Sequence, residues 1–203
     1  MRARMAIWVS GITVELREIV LRDKPSAMLE LSPKGTVPVA LLPGGHLYEE
    51  SFDIMLWALG AADPDSWLKP EEGSYDEMVS LIKACDGDFK HHLDRYKYAS
   101  RYQGADALSH RAAAEGFLRQ LEGKLSVHRY LFGPVPCLAD YAIMPFVRQY
   151  ANVDKGWFSD APYPYLQRWL TTLMGAPPFT EVMPKYPQWH AGQVPTFFGS
   201  KIV

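Results

Sequence analysis

The segment from residue 37 to residue 59 constrains the fold of this 203-residue chain more than any other. Val37–Leu42 is an apolar run, as a strand requires, and Pro43-Gly44-Gly45 supplies the positive φ angles of a tight reversal. His46–Tyr48 then returns as the partner strand, and Glu50-Ser51 opens an apolar helix over Phe52–Leu59. The pattern predicts a hairpin followed by a helix, so the first part of the chain contains a sheet.

The residues before this hairpin predict a further helix and strand. Residues 1–10 are mostly good helix formers, and Gly11 stands where a helix ends. Ile12–Leu21 alternates apolar and charged side chains in its middle, which indicates a strand with one solvent-exposed face. The order is therefore helix, strand, loop or helix, strand, strand, helix.

Residues 32–51 resemble the glutathione-binding half of a glutathione transferase. The resemblance implies a cis Val37–Pro38 bond, with the backbone of Val37 pairing with the cysteine part of glutathione. It also implies that Glu50 contacts the α-ammonium group of the γ-glutamyl end and that Ser51 contacts its carboxylate. Unpaired N–H groups and the positive dipole end of a helix start favour such an anion.

Each of these residues also has a structural alternative. A lone Val-Pro pair is usually a strand edge with a trans bond, and Glu50-Ser51 alone reads as an ordinary acidic helix start. Lys34 is expected to pair with the glycyl carboxylate of glutathione, and a solvated loop lysine is the alternative. We expect Glu49 to be exposed. The register with Pro38 favours the ligand role for Glu50 and Ser51.

The same resemblance implies that an element is missing at the N-terminus. In relatives of this kind, a run like Met1–Ala6 begins helix 1 directly after a first strand and a Cys-Pro-Tyr or Cys-Pro-Phe motif. The sequence starts after that motif, so we assign it no catalytic residue and expect it to be inactive or nearly so. The strand at residues 12–21 should then shift, dissociate or pair with another chain. Alternatively, the natural protein begins upstream of Met1, which is the account we favour.

The second part of the chain is predicted to be all-helical. Residues 63–74 are rich in Pro, Gly and acids and form the predicted linker. Amphipathic or apolar helical patterns then cover Tyr75–Arg101, Ala105–Leu131, Leu138–Tyr150 and Tyr165–Met174, and the tail from Pro177 is expected to be irregular. The fold class is thus α+β: an incomplete thioredoxin-like domain at 1–62, its first strand absent, and an all-α helical bundle at 75–203.

A capping motif at residues 137–140 strengthens the resemblance over the second part. Cys137-Leu138-Ala139-Asp140 occupies the position of a Ser/Thr-x-x-Asp capping box at the start of the apolar third helix. Asp140 is expected to accept a hydrogen bond from the N–H group of Cys137. Because sulfur is a weak acceptor, the cysteine costs about 1 kcal/mol relative to serine.

Charge and cysteine usage exclude several classes of function. Lysine and arginine number 21 against 23 acids, so no broad basic field exists for nucleic acid or anionic lipid, and no apolar run is long enough to span a membrane. Two cysteines, Cys85 and Cys137, form neither a disulfide framework nor a zinc motif, which favours a cytoplasmic protein with both thiols buried. No metal site is predicted, because the adjacent His91 and His92 project about 100° apart on a helix.

The resemblance implies a transferase that uses glutathione as co-substrate. Small electrophiles or mixed disulfides are the expected second substrates, and a homodimer is the expected assembly. Tyr96, Tyr98 and Tyr102 are candidates for an electrophile pocket, and equally for core or interface positions. The alternative function is a non-catalytic transferase-like module that binds or regulates other proteins.

Overall fold

The computed structural model describes residues 1–199, which divide into two compact units. One unit joins Met1–Asp65 to the tail from Pro177, and the other spans Ser66–Ala176. The tail therefore packs with the N-terminal residues, whereas the sequence analysis placed it in the helical domain.

The first unit contains both helices and strands. Along the chain it has α1 (Arg2–Ser10), β1 (Val14–Glu15), α2 (Ser26–Leu31), β2 (Ala40–Leu41), β3 (Leu47–Tyr48) and α3 (Ser51–Ala61). The second unit follows with α4 (Tyr75–Ala84), α5 (Lys90–Lys97), α6 (Ala107–Val127), α7 (Leu138–Ala151), α8 (Lys155–Asp160) and α9 (Pro164–Met174). The tail returns to the first unit with α10 (Pro177–Thr180) and β4 (Phe197–Phe198).

Helices α1 and α3 pack together to form the core of the first unit. α1 ends as predicted at Gly11, whose φ of 71° is left-handed and whose N–H group donates to the Trp8 carbonyl at 3.3 Å. Fully buried apolar side chains fill the contact, among them Met5 and Ala6 of α1 and Met55 and Ala58 of α3.

The predicted hairpin forms, with short strands. β2 and β3 pair antiparallel, with Ala40 opposite Tyr48 and Leu41 opposite Leu47. Gly44 and Gly45 have φ angles of 92° and 86°, which only glycine adopts at low cost. The hairpin leads directly into α3 and so fixes where that helix begins.

Strand β1 pairs with the tail of its own chain. Val14 lies opposite Phe198 and Glu15 opposite Phe197 in an antiparallel ladder. The contact extends beyond the ladder, because the Trp189 N–H group donates to the Glu18 carbonyl at 2.8 Å. In the described residues this strand neither dissociates nor pairs with another chain, because its partner is β4 of the same chain. The tail is irregular, as expected, except at α10 and β4.

The helical unit is built around α7, which is buried on most of its surface. The predicted helix over Tyr75–Arg101 is interrupted: a π-helical turn at Cys85–Phe89, with Gly87 at φ −87° and ψ −106°, separates α4 from α5. Glycine tolerates this conformation, which explains why the interruption falls there. Helix α8 was not predicted.

Asp140 anchors the start of α7, as predicted. Its buried carboxylate accepts hydrogen bonds from the N–H groups of Cys137 at 2.9 Å and Leu131 at 3.0 Å, and from Trp169 Nε1 at 2.7 Å. Burial raises the pKa of Asp140, and these hydrogen bonds oppose the rise. The carboxylate thus holds together the loop before α7, its first turn and α9.

No helix in the part of the chain that the structure describes is long and apolar enough to cross a membrane.

Candidate functional site

The loop before β2 lies against the start of α3. The hydroxyl of Ser32, which is fully buried, donates to the Glu49 carboxylate, and the Lys34 ammonium pairs with the Glu50 carboxylate. The β2–β3 hairpin connects the two ends of this arrangement. The structure therefore brings the loop that carries Lys34 together with the pair Glu50-Ser51.

The Val37–Pro38 peptide bond is cis, as the resemblance implied. It lies between Lys34 and β2, which begins at Ala40. Val37 is 45% exposed, so solvent and ligands can reach it.

The first turn of α3 can receive an anion. Glu50 is extended, with φ −111° and ψ 135°, and its side chain makes no capping hydrogen bond to the helix. The first N–H group that the helix itself satisfies is that of Ile54, which donates to the Glu50 carbonyl at 3.1 Å. The preceding N–H groups and the partly exposed Ser51 hydroxyl thus lie at the helix start, where unpaired donors and the helix dipole favour an anion.

Lys34 and Glu50, expected at opposite ends of the tripeptide, are paired with each other. Glu50 raises the pKa of Lys34 through a hydrogen bond and its charge. Both side chains are about half or more exposed, at 51% and 62%, and ion pairs of this kind contribute little to stability. The pair can therefore open at small cost to release both groups for a ligand.

Sequence reasoning missed the roles of Ser32 and Glu49. Glu49 was expected to be exposed, but it is only partly exposed and bonded to buried Ser32, while Glu50 is the exposed member of the pair. Two adjacent glutamates give no sequence signal that separates them. The contact that distinguishes them comes from a separate segment, because the buried Ser32 hydroxyl donates to the Glu49 carboxylate and not to that of Glu50.

The two thiols are buried, as predicted. Cys85 is fully buried, and Cys137 is 2% exposed at the start of α7. Burial raises the pKa of the Cys137 thiol well above its usual range, and the Asp140 charge adds to the effect. Burial makes both thiols inaccessible, and the raised pKa also keeps the Cys137 thiol protonated, so both are poor nucleophiles.

The three tyrosines considered for an electrophile pocket have different environments. Tyr96 is in the core, with its ring centroid 5.2 Å from that of Tyr150. Tyr98 and Tyr102 are partly exposed and face basic groups, with Arg101 4.2 Å from the first ring and Arg95 4.5 Å from the second. Tyr96 therefore belongs to the core and does not line an accessible pocket.

His91 and His92 were expected to point apart, but the structure brings their rings together with a third histidine. His91 and His92 converge with His110, and one ring nitrogen from each lies within 4.8 Å of the other two. The His92 and His110 Nδ1 atoms are 2.8 Å apart and share a hydrogen bond. Burial, followed by the charges of His91 and His110, lowers the pKa of His92.

Comparison with known proteins identifies the family. The family profile described as "Glutathione S-transferase, N-terminal domain" matches residues 1–67, and the profile described as "Glutathione S-transferase, C-terminal domain" matches residues 74–172. A probable glutathione transferase from Aplysia californica is 46% identical over 94 residues, which cover 46% of this chain and 92% of that protein. This chain belongs to the glutathione S-transferase family.

Two further similarities extend along most of this glutathione S-transferase family member. Glutathione S-transferase omega-1 from Mus musculus is 25% identical over 178 residues, covering 87% of this chain and 72% of that protein. The solved glutathione transferase URE2P6 from Phanerochaete chrysosporium, in complex with oxidized glutathione, superposes with a TM-score of 0.75 at 17% identity. That alignment covers 89% of this chain and 87% of the solved one, and it confirms a thioredoxin-like domain followed by a helical domain.

Proposed function

We propose that this glutathione S-transferase family member binds glutathione at the start of α3. In this proposal Ser51 and the first-turn N–H groups hold the γ-glutamyl carboxylate, and Glu50 holds the α-ammonium group. The backbone of Val37 pairs with the cysteine part, and Lys34 contacts the glycyl carboxylate. The single observation that carries the proposal is the open first turn of α3, with exposed Glu50 beside it, in a chain of this family.

The charges of the site match those of the tripeptide. Glutathione carries an ammonium group and a carboxylate at one end and a second carboxylate at the other. The Lys34–Glu50 pair offers one partner of each sign, and the dipole of α3 adds positive charge at the helix start. Binding would replace one protein–protein ion pair by two protein–ligand contacts, so ligand and internal ion pair compete.

We propose further that the sulfur of bound glutathione is the reacting atom. As a thiolate it either adds to a small electrophile, forming a thioether, or attacks a mixed disulfide and releases the other thiolate. No cysteine occurs within Met1–Asp65, and both thiols of the chain are buried in the helical unit. We therefore assign no catalytic residue to this chain and expect turnover close to the uncatalysed rate.

The buried thiols also favour a second candidate function. A glutathione transferase-like protein that lacks an accessible nucleophile could serve as a protein-binding or regulatory module. The two candidates differ in their dependence on glutathione, because the module has no need of the α3 site. The expected homodimer stays a prediction for either function.

Isothermal titration calorimetry with reduced glutathione tests the proposed site. Ser51→Ala removes a hydroxyl that donates to the carboxylate, and such a charge-assisted hydrogen bond contributes about 1.5–3 kcal/mol. We expect the dissociation constant to rise by about tenfold or more. Ser80→Ala, on an exposed position of α4, is the matched control and should leave binding unchanged. Equal affinity of the two variants, or no binding by the wild-type chain, would refute the proposed site.

A further inference from the structure

Three histidines from two helices meet at one place in the helical unit. His91 and His92 lie in the first turn of α5, and His110 lies in the first turn of α6, against which α5 packs. The ring centroid of His92 is 5.0 Å from that of His91 and 5.1 Å from that of His110. The cluster belongs to neither the proposed glutathione site nor the capping network at α7.

The geometry overcomes the usual objection to adjacent histidines. Neighbouring residues point about 100° apart on a helix, so two such rings alone rarely share an ion. Here the planes of the His91 and His92 rings are at 84° to each other, and the ring of His110 approaches both from the second helix. Each residue thereby contributes one nitrogen to a group in which all three lie within 4.8 Å of one another.

We propose that His91, His92 and His110 form a binding site for a divalent transition metal of the zinc type. Imidazole nitrogen suits zinc, copper and nickel, whereas magnesium and calcium require oxygen ligands. With zinc–nitrogen bonds of about 2.0–2.1 Å, tetrahedral ligands stand roughly 3.4 Å apart. Modest rotation of the three rings achieves this spacing and leaves the fourth position to water or another ligand.

Metal binding replaces two hydrogen bonds of the cluster. A coordinating nitrogen must carry a lone pair, so the proton shared by the Nδ1 atoms of His92 and His110 moves to an Nε2 atom. Arg95 donates to His91 Nδ1 at 3.0 Å and must withdraw from it. Its guanidinium lies 4.5 Å from the Tyr102 ring, which remains as its partner.

The two charged side chains next to the cluster have opposite effects on a bound cation. The Arg95 guanidinium repels a cation, and Asp88, one helical turn before His92, attracts it. With neutral ligands only, the site should bind less tightly than thiolate sites, whose negative charge favours the metal. We expect a dissociation constant for zinc on the order of micromolar, which corresponds to about 8 kcal/mol of binding free energy.

Titration of the full chain without an affinity tag, using Zn²⁺ in calorimetry, tests the proposal. The wild-type chain should bind one Zn²⁺, and Mg²⁺ should give no binding at the same concentration. His92→Gln and His110→Gln should each weaken zinc binding by about tenfold or more, as loss of one ligand removes at least 1.4 kcal/mol. His190→Gln, which alters an exposed histidine of the other unit, is the matched control and should bind like the wild type.

A second measurement keeps the test decisive if a variant fails to fold. In ¹⁵N spectra of the wild-type histidine rings, one equivalent of Zn²⁺ should shift the signals of His91, His92 and His110. Signals of the other histidines, which are His46, His128 and His190, should stay in place. No stoichiometric zinc binding, shifts confined to these other histidines, or equal zinc affinity of all three variants would overturn the proposal.

Discussion

The structural role of Asp140 follows from its burial and from the hydrogen-bond donors that surround its carboxylate. Its carboxylate has no access to solvent, and it accepts hydrogen bonds from two backbone N–H groups and an indole. A buried charge of this kind is tolerated only where donors replace water. The thiol of Cys137 adds a weaker donor, with Sγ 3.3 Å from Oδ2. The same sulfur accepts from the backbone N–H group of Asp140, which completes the capping box, but sulfur is a weaker acceptor than a hydroxyl oxygen.

Replacing this sulfur by oxygen should stabilise the chain. In Cys137→Ser the hydroxyl can donate to Asp140 and also accept from a first-turn N–H group, so we expect the free energy of unfolding to rise by about 1 kcal/mol. Cys85→Ser is the control: it places a hydroxyl at a fully buried position that follows α4 and is not a helix N-cap, and it should lower the same quantity by about 1–3 kcal/mol. Urea denaturation of both variants measures the effects. A loss of stability in Cys137→Ser would contradict this account of the helix start.

For Lys34 and Glu50 the sequence predicted a place at the candidate site, but it did not predict their contact with each other. The motif placed both residues at the candidate site, and the structure brings them to one place. Their ion pair was not foreseen, because no spacing rule relates a loop lysine to a glutamate sixteen residues later. Which of two neighbouring glutamates is exposed depends on Ser32, a buried contact from a separate segment.

At the scale of elements, predictions succeeded where local pattern and turn chemistry agreed. Gly11 ends α1, the two glycines after Pro43 form the hairpin, and the apolar run before residue 60 forms α3. The pairing of β1 with β4 was not predicted, because it joins residues more than 180 positions apart and Phe197-Phe198 carries no strand pattern of its own. Long-range pairing of short strands is a tertiary effect that local propensity does not report.

The close approach at Gly199 makes the β1–β4 pairing testable. A Cβ atom there would meet the Ile12 carbonyl oxygen at 1.9 Å, and φ is 113°. Gly192 also has a positive φ, 82°, but a Cβ atom there meets nothing within 4 Å. Gly199→Ala should therefore lower the free energy of unfolding by about 2 kcal/mol more than Gly192→Ala, because only the first adds a steric clash.

Urea denaturation compares the two glycine variants, and limited proteolysis of the tail provides a second readout. Faster cleavage between residues 184 and 196 in Gly199→Ala alone would accompany loss of the strand pair. Equal stability and equal cleavage in both variants would show that the tail does not pack against Ile12 as described.

At the scale of the whole molecule, composition and pattern predicted a thioredoxin-like part followed by a helical part, but not that the tail from Pro177 packs with the first part. Breaker-rich residues 63–74 separate a mixed segment from helical ones, and the family profiles match on either side of residues 68–73. The histidine cluster was not predicted from the sequence. Helix periodicity gives the directions of side chains within one helix, but it does not show which helix packs beside it. His110 comes from that second helix.

The central claim is that glutathione binds at the start of α3, and amide chemical shifts test it most directly. Titration of ¹⁵N-labelled chain with reduced glutathione should shift the N–H signals of Val37, Ser51 and Phe52 first and most strongly. Signals from α6 and α9 in the helical unit serve as the internal reference and should move little. Saturable shifts clustered on the loop before β2 and the first turn of α3 are the predicted result. Shifts confined to the helical unit, or none at millimolar glutathione, would contradict the account.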